Sequence, residues 1–262
     1  MRRFTANLSL LFTELDFIDR FKAAKDCGFS AVEIQFPYSY PVEIIAQALQ
    51  ENDLQLVLFN VSAGDLLQGG EGLAAVPEKQ TQFRDAIAET IIYAQRLKPE
   101  IVNVLPGRVS DLERKQAYLA TFKENLHFAV NEFSRLGVET VFEAINTYDM
   151  PGFLIHSSQQ MLDIIEQIDH PDLFMQYDVY HMVMMAENPV SFIHRYAGKI
   201  GHIQIADVPG RGQPGTGKID FNGLFQAIVE SGYRGWIGAE YKPTGATAKT
   251  LEWFQQEKSG QR

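Results

Sequence analysis

Short apolar runs rich in β-branched and aromatic residues alternate along the chain with longer stretches whose apolar positions recur every three or four residues. The short runs predict strands at 4–8, 31–34, 54–59, 101–105, 138–142, 173–177, 200–205 and 236–239. Between them Phe17, Phe21 and Ala24 share one helical face, with Asp16 as a candidate N-cap, and Phe122, Leu126, Ala129 and Phe133 share another. Further helices are predicted near 41–51, 78–97, 158–167, 189–197, 221–230 and 246–256. Eight strand-then-helix units across the chain average about 33 residues, the size of a βαβ module, and no Pro/Gly/Ser-rich linker divides them. The pattern therefore predicts an α/β protein, a single (β/α)8 TIM barrel spanning residues 1–262. An open doubly wound sheet is the rival arrangement.

In such a barrel the chemistry sits where strands end and their loops begin. The predicted strand ends carry Glu33, Asn60, Asn103, Glu143, Asp178, Gln204 with Asp207, and Glu240. Glu143, Asp178, Gln204 and Glu240 are separated by 35, 26 and 36 residues, about one βα unit each, so all four project from successive strands onto one rim. Three carboxylates brought together there repel one another unless a cation neutralises them. Oxygen donors without thiolate suit a hard divalent ion, Mg²⁺ or Mn²⁺. For any one of these residues alone, a helix N-cap or a rim salt bridge is the plain alternative. Two glutamates beside a metal suit removal and return of a carbon-bound proton, the logic of an aldose–ketose isomerase or epimerase.

Composition narrows the partners. With 23 Lys+Arg against 33 Asp+Glu the net charge is −10, and no basic run offers a nucleic acid or an anionic membrane a surface. The 45% hydrophobic content excludes a disordered chain, and no apolar run is long enough to span a bilayer. The N-terminal residues show no signal-peptide pattern, and the single cysteine, Cys27, permits neither an internal disulfide nor a thiolate zinc site. A cytoplasmic location is expected, and a homo-oligomer is left open.

The chain resembles the hydroxypyruvate isomerase family, a branch of the xylose-isomerase-like, sugar-epimerase-related barrels. The likeness is carried by Asn7-Leu8-Ser9 with Leu11-Phe12-Thr13-Glu14, Phe36-Pro37-Tyr38, Leu58-Phe59-Asn60, Tyr196-Ala197-Gly198-Lys199, His202-Ile203-Gln204-Ile205-Ala206, and Gly235-Trp236-Ile237-Gly238 with Glu240-Tyr241-Lys242-Pro243. The resemblance implies conversion of hydroxypyruvate to and from 2-hydroxy-3-oxopropanoate (tartronate semialdehyde), with Glu143 and Glu240 as the acid/base pair. It also implies a divalent metal on Glu143, Asp178, Gln204 and Glu240. Related ketose 3-epimerases usually carry His where Gln204 stands, whereas 2-oxo-tetronate isomerases would present nearly the same site.

An oxo acid brings its own carboxylate, so a cation beyond the metal is expected; Arg211 and Lys242 are favoured, with Arg108 a third candidate. His181, three residues past Asp178, is a candidate substrate or supporting contact, and His202 shares a strand face with Gln204. Asn60 and Glu71 complete the candidate substrate contacts, Glu71 lying in a glycine-containing segment, 61–77, expected to act as a lid. Gly210 to Gly215 formally matches G-x-G-x-x-G, and residues 212–218 nearly spell a P-loop. Pro214 and Ile219 spoil these matches, so no dinucleotide or ATP site is expected. A non-catalytic sugar-acid binding protein is the competing class. A metal-dependent AP endonuclease shares the barrel type but calls for a basic face and many histidines, against net −10 and six histidines here.

Overall fold

The strands run Arg3–Asn7 (β1), Ala31–Ile34 (β2), Gln55–Asn60 (β3), Ile101–Asn103 (β4), Glu139–Glu143 (β5), Leu173–Asp178 (β6), Ile200–Ile205 (β7) and Trp236–Ala239 (β8). In this computed structural model, which describes residues 2–260, each strand pairs in parallel with the next and β8 pairs with β1, closing a single (β/α)8 barrel. Parallel strands covered on both sides need apolar residues at nearly every position, which is why these segments read as short continuous runs. The helices are Asp19–Asp26 (α1), Val42–Glu51 (α2), Gln80–Leu97 (α3), Lys115–Ser134 (α4), Ser158–Ile168 (α5), Val179–Met184 (α6), Pro189–Tyr196 (α7), Phe221–Glu230 (α8) and Glu252–Ser259 (α9). Their apolar faces pack on the outside of the barrel to form the main core. No helix among the described residues is long and apolar enough to cross a membrane.

Three details differ from the sequence-based expectation. The first helix begins at Asp19, and Asp16 caps nothing: its carbonyl accepts from Asp19 N in a turn, while its side chain is exposed. The preceding segment is tied to the far end of the chain instead, because Glu14 accepts from Thr247 N at 2.6 Å and Phe12 N donates to Thr247 Oγ1 at 2.6 Å. The extra helix α6 follows β6 directly, and the last predicted helix divides into a 3₁₀ turn at Thr247–Thr250 and then α9.

Inside the barrel, residues two apart share a face and build layers. Ala31, Ile101, Val141 and Trp236 belong to a small apolar cluster separate from the main core. Two residues on stand Glu33, Asn103, Glu143 and Gly238, so the interior turns from apolar to polar toward the C-terminal ends of the strands. Gly238 is what lets Glu33 enter: a Cβ at 238 would sit 2.4 Å from Glu33 Oε2 and 2.8 Å from its Cδ. Gly238→Ala is therefore expected to destabilise the fold by about 1–3 kcal/mol, as overpacking does, read as a lowered thermal midpoint.

Candidate active site

Four carboxylates, Glu33, Glu143, Asp178 and Glu240, are buried at this polar end. Glu33 is fully satisfied. It accepts from Thr5 Oγ1 (2.8 Å), Asn7 Nδ2 (3.0 Å) and Gln204 Nε2 (2.7 Å), and lies 2.7 Å from His202 Nε2. Burial pushes its pKa up, but the charge on His202 and these hydrogen bonds outweigh burial and hold it below the ordinary value.

The other three are not balanced in this way. Glu143 accepts from Asn103 Nδ2 at 2.9 Å. Glu240 Oε1 accepts from Asn7 Nδ2 (2.9 Å) and Gln35 Nε2 (2.8 Å), while its Oε2 accepts from Arg211. Asp178 divides its oxygens: Oδ1 caps α6 by accepting from Tyr180 N (2.8 Å) and His181 N (3.3 Å), and Oδ2 accepts from Arg211 Nη2 at 3.1 Å. All three have pKa values raised from their ordinary ones. For Glu143 burial is the main cause, followed by repulsion from Glu240 and Asp178. For Glu240 and Asp178 burial again leads, opposed but not cancelled by Arg211.

His181 has a defined tautomer. Asn146 is oriented by Tyr148 N and Asp149 N, which donate to its Oδ1 at 3.0 and 2.8 Å, so its Nδ2 faces His181 Nδ1 at 2.7 Å as a donor. The proton of the ring therefore sits on Nε2, 3.5 Å from Asp178 Oδ2. Burial, then Arg211, hold the pKa of His181 well below its ordinary value, so it is neutral. Atoms of Glu143, Asp178 and His181 come within 4.8 Å of one another, but a protonated Nε2 is a donor and not a metal ligand.

These side chains surround a cavity of about 130 Å³. Asn60, Glu143, His181, Gln204, Arg211 and Glu240 line it, together with Asn7, Gln35 and Gln176, beneath an apolar roof that includes Phe36, Leu67 and Met150. Gln35 and Gln176 are absent from the sequence-based set, although Gln176 shares a strand face with Asp178 and that periodicity would have found it. Gln204 donates to Glu33 and accepts from Gln176 Nε2 at 2.7 Å. Gln176 Oε1 and Asn103 Oδ1 are buried acceptors without hydrogen-bond partners among the described residues. Buried oxygens with surplus negative charge fit a hard divalent cation.

The structure does not bring every candidate to this cavity. Lys242 is exposed and contributes its backbone, its N–H donating to Arg211 O at 2.7 Å. Arg108 does not line the cavity; its backbone N–H donates to Glu71 O at 2.9 Å. Glu71 is turned away as well: its carboxylate accepts from Ser110 Oγ and from Tyr118 Oη at 2.8 Å. Where these loops cross, Gly107 has φ +90° and a Cβ would lie 2.3 Å from Glu71 O. In the segment expected to act as a lid, residues 73–76 are buried and Leu67 lines the cavity.

A carboxyl whose pKa is higher in the folded than in the unfolded chain makes the fold less stable as pH rises through that interval. His181, held neutral, acts oppositely, but only below the unfolded value of about 6.5. Without added metal, thermal stability is therefore expected to fall between about pH 6.5 and 8. Glu143→Gln should flatten the slope in the same thermal scans.

Residues 21–257 match the family described as xylose isomerase-like TIM barrel. The chain is 42% identical to the hydroxypyruvate isomerase of Escherichia coli K12, over 97% of this chain and 98% of that one. It is 40% identical to the 2-oxo-tetronate isomerase of Pectobacterium atrosepticum, over 97% of each. A crystal structure described as AP endonuclease, family 2, from Brucella melitensis superposes with a TM-score of 0.94 at 35% identity, covering 98% of this chain and 99% of the other. This chain belongs to the xylose isomerase-like TIM barrel family, in its hydroxypyruvate isomerase branch, and is an isomerase of the aldose–ketose type.

Proposed function

We propose that this isomerase interconverts hydroxypyruvate and 2-hydroxy-3-oxopropanoate, using a divalent ion, Mg²⁺ or Mn²⁺, held by Glu143, Asp178, Gln204 and Glu240. The observation that carries the reading is the pair Glu143 and Glu240, two buried glutamates raised in pKa and facing one small cavity. When bound, the ion supplies a Lewis acid that polarises the substrate carbonyl and makes the neighbouring C–H acidic.

Glutamates whose pKa values are raised toward neutrality populate both protonation states there, as a proton relay requires. The ionised member removes a proton from the hydroxymethyl carbon, and that C–H electron pair becomes the double bond of an enediolate. The protonated member delivers a proton to the adjacent carbon, while the hydroxyl proton passes between the two oxygens. Atoms and charge balance, and no external acid or base is consumed. Asn103 holds Glu143 in place, and Asn7 and Gln35 hold Glu240. The Nε2–H of His181, the guanidinium of Arg211 and the amide of Asn60 are donors at the cavity for substrate oxygens.

The volume supports a three- or four-carbon acid, since about 130 Å³ is well below the roughly 300–1,000 Å³ of drug-sized sites. A ketohexose is correspondingly disfavoured. A protein that merely binds a sugar acid has no use for two buried glutamates with raised pKa values. The working partner is a small hydroxy-oxo acid, with no role proposed for nucleic acid or membrane.

Proton NMR of hydroxypyruvate with enzyme and Mn²⁺ or Mg²⁺ in D₂O should show the semialdehyde with deuterium entering at carbon, and EDTA should stop it. Glu143→Gln and Glu240→Gln should each lower turnover by at least about a hundredfold, with circular dichroism unchanged. Turnover retained in both variants would refute the two-glutamate relay. Inert hydroxypyruvate alongside a turned-over four-carbon 2-oxo acid would move the substrate and leave the site intact.

A further inference from the structure

Arg211 sits in the glycine-rich loop after β7, the segment that mimics a nucleotide motif. The loop is built around Asp207, whose carboxylate accepts from Gly215 N (3.0 Å), Gly217 N (2.7 Å) and Ile219 N (3.0 Å). Its backbone pairs twice with Gly212. Arg211 itself has φ +58°, and its carbonyl is held by Lys242 N. The result is a guanidinium aimed into the cavity, bonded to Asp178 Oδ2 and Glu240 Oε2 and lying 5.3 Å from the centre of the Tyr180 ring.

The choice of oxygens is what matters. Asp178 Oδ1 is committed to the N-terminus of α6, and Glu240 Oε1 is committed to Asn7 and Gln35. Each acid has one oxygen left for a cation, and Arg211 holds both. A divalent ion on the same two oxygens would face the guanidinium a few ångströms away inside a buried site, where like charges repel strongly.

We propose that Arg211 and the metal are alternative occupants of Asp178 Oδ2 and Glu240 Oε2, and that the arginine released by the metal grips the carboxylate of the substrate. This rests on the metal reading given above. A guanidinium fork matches a carboxylate in plane, so the exchange makes Arg211 the residue that selects oxo acids over neutral carbonyl compounds. It also sets an order: metal before acid.

The test titrates Mn²⁺ into the metal-free protein, following free Mn²⁺ by electron paramagnetic resonance. Arg211→Met should bind Mn²⁺ about tenfold tighter than the natural sequence, because a competitor with charge-assisted bonds is gone. Arg211→Lys, which keeps a charge but cannot fork, should fall between, and guards against a variant that fails to fold. Lys218→Met, removing an exposed charge from the same loop, should bind as the natural sequence does. In the Mn²⁺-loaded Arg211→Met protein, pyruvate should bind about tenfold more weakly or worse, while hydroxyacetone, which lacks the carboxylate, should be unchanged. Equal or weaker Mn²⁺ binding by Arg211→Met overturns the inference. So does parallel weakening of pyruvate and hydroxyacetone. Failure of the natural sequence to bind Mn²⁺ would instead sink the metal reading, and the inference with it.

Discussion

Removing a carboxylate from water is costly, and this barrel does it four times within one small volume. The rest of the architecture is organised by how that cost is met. Glu33 meets it with donors from β1 and β7 and becomes a fixed support. Glu143, Asp178 and Glu240 leave it partly unmet, which raises their pKa values, and the proposed reaction draws on that imbalance. A single polar layer thus contains both the fixed support and the unbalanced acids, linked through Asn7, which donates to Glu33 and to Glu240.

Several irregular features follow from that layer. Glycine at 238 leaves room for the side chain of Glu33. The loop after β7 is wound around Asp207 so that one arginine enters the site. The close crossing of Gly107 and Glu71 anchors the loops after β3 and β4.

Strands were legible because fully covered parallel strands read as apolar runs, and their ends fell at Glu143, at Asp178 and just before Glu240 by simple periodicity. The barrel and the positions of the convergent acids were therefore readable from order alone. What escaped was decided by local competition. The six residues of α6 are too few for a helical repeat to show, and their cap is a residue already assigned to the site. Lys242 carried the right charge for the substrate and Glu71 lay in the right loop, but backbone direction sends Lys242 to solvent and Glu71 to Ser110 and Tyr118. Spacing cannot report which way a loop side chain turns.

The divided duty of Asp178 bears on how lineages related to this one should be compared. One oxygen caps a helix and the other is bonded to Arg211, so a descendant that abandoned catalysis would still lose a helix cap by replacing it. Retention of an aspartate at that position is thus weak testimony to activity. Glu143, whose carboxylate is held by the Asn103 amide and caps no element, has no such structural duty, so on the proposed function drift there is the more telling mark of a barrel that has changed its occupation.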